Sequence, residues 1–133
     1  MKSIKARATR SLPVGAELTV CDNSGAKIIK LISVKGYKTT VRRLAIAGVG
    51  DLISARVVKG SKELRKKVVQ AIIVRQKKEY IRLDGTRIKF YDNAAVLIKD
   101  EKGNPSGTIF KGPIAKEATE RWPGIAKIAG EVI

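Results

Sequence analysis

Hydrophobic positions in this chain recur mostly with a period of two. Leu18 and Val20 alternate with polar neighbours from Glu17 to Asp22. Residues 27–35 put Ile28, Ile32 and Val34 on one face and Ile29 and Leu31 on the other. A run apolar on both faces predicts a strand in a closed barrel or under a cover. Gly48-Val49-Gly50-Asp51 turns into a strand through Val58, where Ile53, Ala55 and Val57 alternate with Ser54 and Arg56. Residues 68–76 carry the strongest strand pattern, Ile72 and Val74 opposite Ala71 and Ile73. Residues 80–83 and 87–91 flank Asp84-Gly85, the clearest hairpin signal, with Ile88 and Phe90 facing one way and Arg87 and Lys89 the other. Residues 94–99 form a last strand, and 100–104 its exit turn. Asp22-Asn23-Ser24-Gly25 is a further strong turn. Several short strands at near-regular spacing predict a small β-barrel.

The period changes near the end. Gly112-Pro113 announces a helix start, because proline suits the first helical turn. Ile114, Ala118 and Trp122 recur every four residues, and Pro123 stops that helix. Ile125, Ile128, Ala129 and Val132 repeat the spacing in a second short segment. Both stripes are expected to pack on the barrel. With 133 residues and no repeat or linker, one domain is expected. Its parts are an irregular basic arm (1–13), a barrel (14–111) and short helices (112–133).

Charge changes this picture most. The formal net charge is +16. Residues 1–90 hold 22 lysines and arginines against 6 acids, while residues 91–133 hold 6 of each. All the excess lies in the first two-thirds of the chain, and such a protein repels itself until a polyanion neutralises it. The cations interleave with strand patterns rather than lining an amphipathic helix, which favours nucleic acid over a membrane surface. Four clusters are candidate RNA contacts. They are the arm (Lys5, Arg7, Arg10), the 36–43 connection and its flank (Lys35, Lys38, Arg42, Arg43), a loop or single helical turn at 59–67 (Lys62, Arg65, Lys66, Lys67) and the hairpin (Lys77, Lys78, Arg82, Arg87, Lys89). Phosphate contact needs only charge and reach, so the clusters report affinity rather than base preference. Aromatics make up only 5% of the chain, whereas single-strand binders stack bases on them. That scarcity favours a reader of folded RNA by shape and phosphate. Phe90 and Trp122 are expected in the core.

Catalysis has little to work with. The chain has no histidine, and Cys21 is its only cysteine. Cys/His zinc sites, histidine-based triads and an internal disulfide are therefore excluded. No glycine-rich phosphate loop is present. Most carboxylates sit in turns or beside basic residues, as turn formers or surface ion pairs. No enzyme activity, cofactor or metal is expected. No apolar run is long enough to span a bilayer, and no apolar stretch follows the basic N-terminal residues, as a secretory signal would need.

The segment 71–97 carries a long spaced pattern: Ala71, Ile72, Ile73 and Val74, then Asp84-Gly85, Phe90, Asn93 and Val96-Leu97. It resembles the signature of the universal large-subunit ribosomal protein number fourteen family. Residues 21–26 resemble that family's first turn, and 48–51 its lead into the next strand. Residues 12–16, 36–38 and 120–126 are similar to the archaeal and eukaryotic branch. The resemblance implies a five-stranded barrel with a small helical C-terminal part. It implies binding to large-subunit rRNA, bridges to small-subunit rRNA at the subunit interface, and contacts with neighbouring ribosomal proteins in the cytoplasm. It also implies docking of an anti-association initiation factor on the C-terminal part, which makes 112–133, with Lys116, Glu117, Glu120 and Arg121, a protein-facing end. The rival reading is a single-strand RNA binder on an OB-like barrel, acting off the ribosome.

Overall fold

A computed structural model describes residues 9–36 and 41–133. Five strands close a barrel in the order β2, β3, β5, β6, β9. These are β2 (Glu17–Val20), β3 (Ala26–Val34), β5 (Leu52–Gly60), β6 (Val68–Arg75) and β9 (Ala94–Ile98). All neighbours are antiparallel except the closing pair, where β2 runs parallel to β9 with Thr19 opposite Ala94. Two short pairs lie outside the barrel. β1 (Leu12–Pro13) pairs with β4 (Ile46–Ala47), and β7 (Tyr80–Ile81) pairs with β8 (Arg87–Ile88) in the expected hairpin. The arm is thus not irregular to its end: Leu12 is buried and in register with Ala47.

Strand alternation separates two apolar cores. Leu18, Ile29, Leu31, Ile53, Ala55, Val57, Ala71, Ile73, Ala95 and Leu97 fill the barrel. A five-stranded barrel is narrow, and alanines on three of its strands make room for the larger aliphatics. The alternate residues Leu52, Ile72, Val74, Ala94, Val96 and Ile98 face outward. They are buried under Tyr80, Phe90, Phe110, Ile114, Ala118, Trp122 and Ile125. Phe90 and Trp122 are core residues, as expected.

β3 departs from the simple alternation. A register shift between Leu31 and Ser33 breaks the period, so Val34 joins Ile29 and Leu31 inside. Ile32, expected beside Val34, is left 43% exposed. One extra residue in a bulge switches every later side chain to the other face.

The C-terminal segment also differs from expectation. α1 covers Lys116–Arg121 and α2 covers Pro123–Ile128, with Pro123 opening the second helix as well as ending the first. Proline lacks an N–H that a first helical turn would leave unpaired anyway. No helix begins at Pro113. Instead Ile114 forms a parallel bridge with Val132, so Val132 lies outside α2. The Ala115 N–H donates to the Val74 carbonyl and anchors this segment to β6.

Trp122 locks the cover. It is 1% exposed, and its indole N–H donates to the Gly50 carbonyl at 2.8 Å. The ring lies on Gly103, where a Cβ would come within 2.5 Å of Trp122 Cε3. Trp122→Ala is therefore expected to cost about 3–5 kcal/mol, read as a lower urea midpoint. An unchanged midpoint would mean that the cover is not anchored through this ring.

Candidate nucleic-acid interface

The basic clusters project from turns that the fold holds in place. The β5–β6 connection is a tight loop. The Leu64 and Arg65 N–H groups both donate to the Ser61 carbonyl, and half-buried Leu64 holds the loop against the barrel. Lys66 adopts φ +64 and its N–H donates to Val57. Lys62, Arg65, Lys66 and Lys67 are all exposed around this turn. Arg42 and Arg43 are exposed in the connection that precedes β4, Arg42 with φ +72. Lys77, Lys78 and Lys89 are exposed at the base of the β7–β8 hairpin, where the Lys77 N–H donates to Asn93 Oδ1 at 2.7 Å. Among the described residues, none of these nine cations is in an ion pair. Lys5, Arg7 and Lys38 lie outside the described residues.

Four of the expected contacts already have acidic partners. Lys35 Nζ lies 3.2 Å from Glu101, and Arg87 pairs with Glu79 at 2.9 Å. Both pairs are exposed and worth little in water. Arg10 Nε lies 3.8 Å from Asp51, a buried carboxylate that also accepts from the Gly48 N–H and from Arg121. Asp51 thereby joins the arm, the lead into β5 and α1. Arg82 is bound to Glu117 at 2.8 Å and donates to the Ile133 carbonyl. These two arginines hold the fold together as well as adding charge.

The four C-terminal candidates divide in the same way. Lys116 and Glu120 are exposed and form an i,i+4 pair at 3.7 Å. Arg121 is directed onto Asp51 and over the Trp122 ring. Glu117 is buried instead. It is 5% exposed, and its carboxylate accepts from the Tyr80 hydroxyl at 2.7 Å and from Arg82. Helical spacing alone could not tell the buried position from the exposed ones, because α1 is short and its start is displaced from Pro113.

The clusters read from sequence pass over Lys27, Lys30, Arg56 and Lys59. These stand on β3 and β5 and are exposed, alternating with inward-facing apolar residues. That alternation is their signal in the sequence, and runs of basic residues do not contain them. Cys21 offers no chemistry. It is buried, and burial pushes its thiol up to about 11, against the smaller lowering effect of Arg75. Among the described residues no cluster of three or more acidic or cysteine side chains could hold a metal ion. No described helix is long and apolar enough to cross a membrane.

The profile of the family described as ribosomal protein L14p/L23e matches residues 11–133. The chain belongs to this family. It is 56% identical over 133 residues to the large ribosomal subunit protein uL14 of Nanoarchaeum equitans (strain Kin4-M), covering 100% of both chains. It is 55% identical to the protein of that name from Methanococcus vannielii and 54% identical to that from Methanococcus maripaludis (strain C7 / ATCC BAA-1331), over 97% of each chain. The resemblance read from 71–97 is thus correct, and these archaeal relatives agree with the branch assigned.

In this family member the Tyr80–Glu117–Arg82 cluster has a definite pH signature. Burial, and then the hydrogen bond to Glu117, raise the Tyr80 hydroxyl well above its ordinary value of 10.0. The folded state therefore keeps a proton that the unfolded state loses above that value, so this group's contribution to stability falls as pH rises past about 10. Tyr80→Phe is expected to cost about 1–3 kcal/mol near neutral pH by removing a donor from a buried carboxylate. The gap to the parent should narrow above pH 10, measured by urea unfolding across pH. A constant gap would place the hydroxyl in water rather than on Glu117.

Proposed function

We propose that this protein is a structural constituent of the large ribosomal subunit that binds large-subunit rRNA through Lys and Arg side chains and contributes to bridges with small-subunit rRNA. The observation that carries the RNA reading is the set of unpaired cations on the barrel's turns: Arg42, Arg43, Lys62, Arg65, Lys66, Lys67, Lys77, Lys78 and Lys89. Family membership gives the ribosomal setting and a structural rather than enzymatic role. The backbone hydrogen bonds of the β5–β6 turn fix where its cations leave the barrel, so on meeting a phosphate mainly side-chain freedom is lost there. Lysine supplies a point charge, and arginine a planar fork that binds phosphate bidentately or stacks on a base.

The C-terminal end is the protein-facing part of this reading, toward neighbouring ribosomal proteins and an anti-association initiation factor. Lys116 and Glu120 present mixed charge there. Ile133, whose carbonyl accepts from the Lys116 N–H, lines a depression of about 490 Å³ with Ile88, Phe90, Tyr91 and Pro113, and with the charged Arg75, Arg87, Lys89 and Asp92. Tyr91 is fully exposed, and exposed aromatics are enriched in protein interfaces.

Sedimentation of cell extract on a sucrose gradient tests the assignment. The protein should travel with the large-subunit fractions, and its absence from them would support the off-ribosome alternative. Binding of the purified protein to large-subunit rRNA should weaken steeply with added salt, since each phosphate contact releases counterions. A flat response would remove the basic surface from the account. Arg42→Ala combined with Arg43→Ala should lower rRNA affinity without moving the urea midpoint; normal binding would make that pair solvated surface only.

A further inference from the structure

Apart from Leu52 at the start of β5, no residue of β2, β3 or β5 belongs to the second core, so the rest of their outer face is uncovered. Across it runs one row of directly opposed residues: Glu17 opposite Lys30, Lys30 opposite Arg56, and Arg56 opposite Val68. Directly opposed residues of an antiparallel pair share a face with Cβ atoms about 5 Å apart. Lys30 and Arg56 are therefore like charges side by side, both exposed, an arrangement that destabilises a free sheet. Among the described residues neither is in an ion pair, although Glu17 stands next in the row. Beyond Arg56 the row continues to Val68, which is 67% exposed.

A depression of about 340 Å³ opens beside the two cations, lined by Val14, Gly15, Lys30, Leu31, Ile32 and Arg56. Gly15 leaves its wall open, for a Cβ there would meet nothing within 4 Å. Val14 and Ile32 are 36% and 43% exposed along it. The site is thus two adjacent cations beside a small apolar hollow. One phosphodiester between the cations would relieve their repulsion, and its ribose would rest on Val14 and Ile32. An acidic peptide would also meet the charge, but the hollow is small, and the protein's large positive excess makes a phosphate backbone the better match.

We infer that Lys30 and Arg56 form a phosphate clamp for the rRNA backbone on the uncovered β3–β5 face, a site distinct from the basic turns. This rests on the rRNA-binding reading above. The clamp predicts opposite signs for stability and binding, which plain surface charge does not. Removing the cations should leave the free protein as stable as before or more so, while binding suffers.

The test uses the purified full chain and a large-subunit rRNA transcript, with filter binding across a KCl series. Lys30→Gln with Arg56→Gln should lower affinity about tenfold, as expected for losing one charge-assisted contact. It should also reduce the slope of log affinity against log salt by roughly one, for one phosphate no longer neutralised. Its urea midpoint should equal or exceed the parent's. The charge-preserving exchange Lys30→Arg with Arg56→Lys should bind within about threefold of the parent, because a phosphate clamp needs the two charges; a loss as large as that of the Gln variant would overturn it. Parental affinity and slope in the Gln variant would overturn the clamp, as would a lowered midpoint. Unchanged rRNA binding with reduced incorporation into subunits would make the occupant a protein and also overturn it. A parent chain without salt-dependent rRNA binding would instead overturn the wider reading.

Discussion

The architecture depends on two strands that are apolar on both faces. β6 and β9 send Ala71, Ile73, Ala95 and Leu97 into the barrel and Ile72, Val74, Ala94, Val96 and Ile98 outward. The outward set is as buried as the inward set, which requires a cover. The hairpin, Phe110, Ile114 and the two helices supply it. Burying such side chains yields on the order of 2 kcal/mol each, so the cover is integral to the fold. Because that cover lies over β6 and β9, the β2–β3–β5 face is left open. Exposed strand positions there include Lys27, Lys30, Arg56 and Lys59 against a single acid, Glu17.

Electrostatics follows the same division. The chain has 12 acids against 28 lysines and arginines, and several acids are committed inside. Asp22 binds the Ser24 and Leu97 N–H groups, Asp51 joins Arg10 and Arg121, and Glu117 holds Tyr80 and Arg82. Acids committed to turns and half-buried arginines do little to neutralise the outer cations. The protein is thus assembled by its own ion pairs at the arm and cover, and left strongly positive at the turns and open strands. Such a surface repels itself, and a polyanion would neutralise it.

Much of this was legible in the chain. Alternation marked β2 and β5, runs apolar on both faces marked β3 and β6, residues 94–99 read as a further strand, and Asp84-Gly85 identified the hairpin. Four-residue spacing identified Ile114, Ala118 and Trp122 as packed positions, and Ile125 of the second stripe is buried with them, whereas Val132 is left exposed. What escaped has local causes. The bulge after Leu31 moved Val34 inward, and a bulge leaves no mark in composition. The bridge between Ile114 and Val132 displaced the helix start, because a long-range backbone pair overrode a local proline signal. Glu117 read as surface because its partners are 37 and 35 residues away in sequence. The Lys30–Arg56 pair escaped for the same reason: their adjacency exists only through strand register.

The central claim is that the open strand face and the basic turns meet RNA while the helical end stays available to proteins. Lysine acetylation followed by mass spectrometry, on the free protein and on intact large subunits, tests it most directly. The account predicts that Lys30, Lys59, Lys62, Lys66 and Lys67 react in the free protein and are protected in the subunit, while Lys116 and Lys127 react in both. Unchanged reactivity of the strand and turn lysines on assembly, with protection confined to Lys116 and Lys127, would contradict it.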